Sequence, residues 1–196
     1  MYKIIDGDYG KHAIATKDIE KDTIVLEENP SIICEDLYDA IYKLYNSESE
    51  FEDLQDKFEE MTPHKLDKHI ISCEELDKEI KMLPEYMQQF FKNIEKTKLR
   101  LYAAKYYRNG FNYNIDYGGP TAILFQGNLF NHSCDPNINF EIEKKTGKYI
   151  FIANKLIKKN EELVDNYINI NLPYIERQTR LLHQYGFKCK CIKCCK

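Results

Sequence analysis

Polar and apolar residues follow three regimes along the chain: a β-type stretch over 2–33, a helix-type stretch from about 36 to 108, and β signals again after Gly110. In the first, Lys3-Ile4-Ile5 predicts a short strand and Asp6-Gly7-Asp8-Tyr9-Gly10 a turn. His12-Ala13-Ile14-Ala15 and Thr23-Ile24-Val25-Leu26 predict two more strands, joined by a polar turn over 17–22, and Pro30 ends the run. In the second, glycine disappears and acidic, helix-forming residues dominate. Leu37, Ile41, Leu44 and Tyr45 recur at helical spacing, and Tyr86, Phe90, Ile94, Leu101 and Ala104 do so more loosely. Pro84 stands where a helix can begin and Asn109-Gly110 where one can stop.

In the third regime, Lys148 to Ala153 predicts a strand after the Thr146-Gly147 turn, and Leu172 to Gln184 a helix with Pro173 near its start and Gly186 past its end. Strands, a helical insert and strands again predict an α+β domain. The expected organisation is one domain over 1–196, in four parts: 1–35, a helical insert over 36–108, 109–183, and a cysteine-rich tail over 184–196. No internal repeat or low-complexity tract interrupts it.

Length and composition agree with one globular domain. The chain has 196 residues, 43% of them hydrophobic, enough to close a core. Twenty-eight basic against 32 acidic residues give a formal charge of −4, which disfavours a general polyanion binder. The first eight residues lack a continuous apolar run, and no stretch approaches the roughly 20 apolar residues of a membrane helix. A soluble protein of a reducing compartment, without membrane or direct nucleic-acid contact, is expected.

Cysteine placement adds chemistry. Of seven cysteines (Cys34, Cys73, Cys134, Cys189, Cys191, Cys194 and Cys195), four crowd the last eight residues. The pattern Cys189-x-Cys191-x-x-Cys194 offers three thiolates to a tetrahedral ion. The fourth ligand is either adjacent Cys195 or a distant residue such as Cys134. Adjacent side chains converge on one metal only with strain, which favours Cys134. A thiol-rich tail without metal is the alternative. A second polar cluster, Asn131-His132-Ser133-Cys134-Asp135-Pro136-Asn137, taken alone is a turn rich in residues that bond their own backbone.

Together these segments resemble the SET-domain lysine methyltransferases. Residues 131–137 resemble the family's Asn-His-Ser-Cys-x-Pro-Asn signature. Glu161-Glu162-Leu163-Val164-Asp165-Asn166-Tyr167-Ile168 resembles the acidic-hydrophobic run that ends in its active-site tyrosine, and the cysteine tail resembles its post-SET zinc segment. Gly10 to Ile19 resembles the opening segment, except that His12 stands where a second glycine is usual, so that loop is expected to differ in shape. Asn109-Gly110-Phe111 and Tyr185-Gly186-Phe187 resemble the SET-and-MYND group. Only Cys73 lies between Cys34 and Cys134, too few ligands for a MYND finger, so a minimal version without it is expected.

The resemblance implies a fold of small curved β-sheets with a pseudoknot, the helical insert and the zinc-binding tail. It implies transfer of a methyl group from S-adenosylmethionine to a protein lysine, on a histone tail or another protein. Tyr167 matches the catalytic tyrosine, and Tyr185 and Phe111 would line the lysine channel. The cofactor would meet Tyr9, Gly10 and Lys11 at its carboxylate end, Asn131 and His132 at its adenine and amino-acid end, then Asn109 and a stacking Phe187. His64 matches a further cofactor contact loosely, with a solvated surface histidine as the alternative. Zinc would take Cys134, Cys189, Cys191 and Cys194, tying the tail to the 131–137 segment and so coupling metal to activity. A monomer of the nucleus or cytoplasm is expected. The competing readings are a catalytically silent SET module that binds peptides, and a zinc-dependent nucleic-acid module resting on Lys188, Lys190, Lys193 and Lys196.

Overall fold

The computed structural model describes residues 1–7, 10–46, 52–113 and 119–195. The turn residues Asp8 and Tyr9, and Lys196 of the basic tail, lie outside the described residues. In chain order come strands β1 (Tyr2–Gly7), β2 (Gly10–Ala15), β3 (Ile24–Glu28) and β4 (Ile32–Cys34). Helices α1 (Leu37–Tyr45), α2 (Glu52–Glu60), α3 (Cys73–Ile80), α4 (Glu85–Lys92) and α5 (Lys96–Asn109) follow. Strands β5 (Gly110–Asn112), β6 (Thr121–Ile123), β7 (Asn131–His132), β8 (Ile138–Ile142), β9 (Tyr149–Ala153) and β10 (Val164–Asp165) precede α6 (Tyr174–Arg180). No helix among the described residues is long and apolar enough to cross a membrane.

The chain divides into two compact units, one of Met1–Pro30 with Leu124–Lys196, the other of Ser31–Ile123. The first carries three small sheets: the β1–β2 hairpin, β3–β9–β8, and the parallel pair β7–β10. In β9 alternate side chains Tyr149, Phe151 and Ala153 are fully buried, as a half-covered strand requires. Phe151 packs against Phe130 at 5.2 Å and Phe140 at 5.6 Å. Strand β2 also joins the segment ahead of β10, where Leu163 N–H donates to Ala13 O at 2.8 Å and Ala15 N–H to Glu161 O at 2.9 Å.

Two details shape the approach to the site. His12 lies within β2; the left-handed backbone falls instead on Gly10 (φ 111°), and the His12 ring fills the space over Gly7. The buried Glu28 carboxylate accepts backbone N–H bonds from Phe125, Gln126 and Gly127 at 2.8, 2.9 and 2.7 Å. It thereby holds the turn that delivers Asn131. A side chain at Gly127 would meet Phe151 Cζ at 2.6 Å, so the turn passes only with glycine there.

The second unit holds α1 to α5 and the sheet β4–β6–β5. Asp36 caps α1 by accepting from the Tyr38 and Asp39 amides, both at 2.8 Å. Ser72 and Glu75 form a capping box on α3. The loose apolar pattern from Tyr86 to Ala104 resolves into two helices, broken at 93–95, with Pro84 before the first and Gly110 after the second. Their core is polar in part. Glu59 accepts from the Tyr45 and Tyr102 hydroxyls, and buried Lys105 donates to the carbonyls of Glu59 and Met61.

Candidate active site and metal centre

The 131–137 and 161–167 segments are stitched together at their backbones. Beyond the β7–β10 pairing, Ser133 N–H donates to Asp165 O at 2.8 Å and Asn137 N–H to Val164 O at 3.1 Å. The Asn137 side chain donates to Glu162 O and accepts from Val164 N–H, both at 2.8 Å. Asn131 Nδ2 donates to the Glu162 carboxylate at 2.9 Å. An asparagine offers a donor and an acceptor on one planar group, which is why Asn137 can replace a ladder rung here.

His132 stands at the centre. Its Nδ1 accepts the Tyr167 amide at 3.0 Å, so the neutral ring carries its proton on Nε2, which lies 3.3 Å from Cys134 Sγ. Burial, and then the positive charge of Arg177, bring this imidazole down to about 4. It is therefore neutral near pH 7, as acceptance of the Tyr167 amide by Nδ1 requires.

An aromatic wall surrounds it. The His132 ring lies 5.3 Å from Tyr167 and 6.0 Å from Phe187, and Tyr185 lies 4.9 Å from Tyr167. The Tyr167 hydroxyl donates to Phe130 O at 3.0 Å, and Tyr185 donates to Tyr167 O at 3.2 Å. Burial first, then the charges of Asp165 and its neighbours, keep the Tyr167 phenol well above its ordinary range. Asp165 is 4% exposed, with one bond from the Asn166 amide at 2.7 Å, and burial raises its carboxyl to about 7.

The four sulfurs of Cys134, Cys189, Cys191 and Cys194 all lie within 4.8 Å of one another, and those of Cys134 and Cys194 are 3.5 Å apart. A tetrahedral ion with bonds of about 2.3 Å needs an edge of about 3.8 Å, which this donor set fits. Gln178 clasps the tail by donating to Cys189 O at 2.9 Å and accepting from its amide at 3.0 Å. Arg177 aims Nε at Cys134 Sγ (3.3 Å) and another nitrogen at Cys194 Sγ (3.8 Å), with a third on Leu172 O (2.6 Å). Burial opposes ionisation of Cys191, but bonds from Cys189, Cys134, Ser133 and Cys194 outweigh it and bring that thiol to about 6. Cys195 is exposed and turned to Lys190 O.

Of the residues singled out from sequence, Asn131, His132, Cys134, Tyr167, Tyr185, Phe187, Cys189, Cys191 and Cys194 thus gather in one place. Gly10 and Lys11 open β2 in the same unit, while Tyr9 lies outside the described residues. His64, Asn109 and Phe111 belong to the second unit. His64 is exposed, Phe111 is half-buried in β5, and Asn109 is buried with its amide on Thr62 O (2.6 Å) and Lys105 O (2.7 Å). Arg177, Gln178, Asn137 and Asp165 join the site without having been singled out for it. A tail of four potential thiolates demands a buried cation nearby, and that was the available signal for Arg177. The helix expected over 172–184 is shorter, with α6 opening into a wide π-type turn over Leu181–Tyr185 that sets Tyr185 against Tyr167.

The model of the SET domain family matches residues 10–168. A SET domain-containing protein (L678) of Acanthamoeba polyphaga mimivirus is 31% identical over 193 residues, spanning 92% of this chain and 72% of that protein. The histone-lysine N-methyltransferase ATXR2 of Arabidopsis thaliana is 47% identical over 76 residues, 38% of this chain. A SET and MYND domain-containing protein of Dictyostelium discoideum is 36% identical over 73 residues. The chain spans only 16% and 14% of those last two. Among solved structures, the SET domain of LSMT bound to methyl-lysine and AdoHcy has the same fold, at TM-score 0.66 and 13% identity over 97% of this chain and 53% of that one. A match that spans most of the chain, together with a relative 31% identical of which the chain covers 72%, makes the conclusion plain: the chain belongs to the SET-domain family.

Proposed function

We propose that the protein transfers a methyl group from S-adenosylmethionine to the ε-amine of a protein lysine. Support comes from relatives described as histone-lysine N-methyltransferases and from a similar fold solved with AdoHcy and methyl-lysine. One observation carries the reading for this chain. The Tyr167 hydroxyl spends its proton on Phe130 O, leaving its lone pairs to accept an N–H from a substrate amine.

When bound, the sulfonium supplies an activated methyl group that needs no further chemical activation. The residues here bind, orient and dry the amine. Tyr167 aligns the nitrogen lone pair, and Tyr185 walls the lysine stem. Asn131, His132, Gly10, Lys11 and a stacking Phe187 are assigned to the cofactor. The resemblance also assigns Tyr9, Asn109 and His64 a cofactor role and Phe111 a channel role. The donor set of Cys134, Cys189, Cys191 and Cys194 suits zinc, which would fasten the tail carrying Tyr185 and Phe187. We read the stitching of 131–137 to 161–167 as the family's pseudoknot, and the chain as a SET-and-MYND relative without the finger. Histone tails, basic against a chain of charge −4, are the first substrates to try.

Calorimetry with S-adenosylmethionine, then transfer of labelled methyl to core histones with Y167F as control, tests this. Binding and Tyr167-dependent labelling of lysine, located by mass spectrometry, is the expected result. Absence of cofactor binding overturns it. Cofactor binding with no transfer to histones or to any protein of a cell extract would favour a silent, peptide-binding module.

A further inference from the structure

The buried charges of the first unit are treated unequally. Glu28 receives three backbone N–H bonds, and Arg177 faces two sulfurs and a carbonyl. Asp165 is buried as deeply, yet it accepts one bond, from the amide of the very next residue. No described lysine or arginine pairs with it. A purely structural carboxylate at that depth is normally saturated with donors, because leaving it short costs several times what a surface charge would. Its position is also particular. It ends β10 opposite His132, two residues before Tyr167, and its charge acts on the hydroxyls of both Tyr167 and Tyr185.

We infer that the Asp165 carboxylate receives the charged ammonium of the incoming lysine and takes its proton before methyl transfer. This rests on the methyltransferase reading above. A free lysine holds its proton to about pH 10.4, and only the neutral amine has a lone pair to give. In the step, one ammonium N–H bond breaks, the proton moves to an Asp165 oxygen, and the electron pair stays on nitrogen. The proton returns to solvent after product leaves. An Asp165 carboxyl that already titrates at about 7 is a better acceptor than an ordinary carboxylate.

The test titrates AdoHcy-saturated protein with free L-lysine and with L-norleucine, which keeps the stem and lacks the ammonium. Wild type is expected to prefer lysine by about tenfold or more, and D165N to lose that preference while binding norleucine and AdoHcy as before. A purely structural Asp165 would move both amino acids together. Retention of the lysine preference in D165N overturns the inference, as does a wild type that binds AdoHcy without preferring lysine. Should D165N fail to fold, D165S carries the same comparison. A wild type that does not bind AdoHcy at all overturns the methyltransferase reading instead.

Discussion

The backbone amide of Tyr167 is bonded to the imidazole of His132 at 3.0 Å. The other nitrogen of that ring sits 3.3 Å from the sulfur of Cys134. One rigid, neutral ring therefore spans the gap between a candidate metal ligand and the candidate catalytic tyrosine. Any change that moves the Cys134 sulfur is transmitted to the peptide that carries Tyr167.

Metal loss should consequently reach the chemistry. C189S, which removes one buried sulfur of the four, is expected to lower zinc content below one equivalent and methyl transfer by at least about tenfold. C195S, at an exposed thiol outside the set, should keep both. Metal analysis and turnover on the same preparations check the pair. Full turnover in a zinc-free C189S protein would break the coupling.

Arg177 should govern how firmly the ion is held. Four thiolates around a divalent ion carry a surplus of negative charge, and the guanidinium lies against two of the sulfurs. R177Q is expected to surrender metal to a coloured chelator about tenfold faster or more, with R177K intermediate because it keeps charge but not the fork. Equal release rates in all three proteins would reduce Arg177 to a packing residue.

Y167F separates chemistry from stability. Losing the bond to Phe130 O costs on the order of 1 kcal/mol, a shift of a few degrees in thermal midpoint for a chain of this size. Methyl transfer should fall by about two orders of magnitude while cofactor binding persists. A variant with wild-type turnover would remove Tyr167 from the reaction.

Asp165 predicts a pH dependence of stability. Its folded carboxyl titrates at about 7 against an ordinary 3.8. Between those values the folded state holds a proton the unfolded chain has lost, so stability falls as pH rises through that window, by on the order of 1 kcal/mol per unit. Urea midpoints at pH 5 and pH 7 measure it, and D165N should be flatter across the same interval. An identical slope in both proteins would assign the effect elsewhere.

Much of this was legible in the chain. Lys3-Ile4-Ile5, His12 to Ala15 and Ile24 to Leu26 lie in β1, β2 and β3, because short runs of β-branched and apolar residues between turn signals act locally. Helices α1 to α5 fall between Leu37 and Asn109, the stretch without glycine. The cysteine spacing pointed to a thiolate cluster through residue type alone, whereas the Asn131–Asn137 run read as a turn until its resemblance to a family signature gave it a role. His12 was harder to judge, since the backbone it adopts depends on Gly7 leaving room for its ring.

What residue order determined by itself was the inventory of reactive groups and the local elements that carry them, since spacing and propensity act over a few residues. What tertiary structure alone decided was which groups meet. Cys134 joins sulfurs 55 or more positions away, Glu28 cradles amides almost a hundred residues on, and Asp165 is stripped of water with one bond, from the next residue's amide. Charge, desolvation and hydrogen-bond direction are properties of neighbours in space, and chain closure over such distances brings those neighbours together only when the whole unit packs.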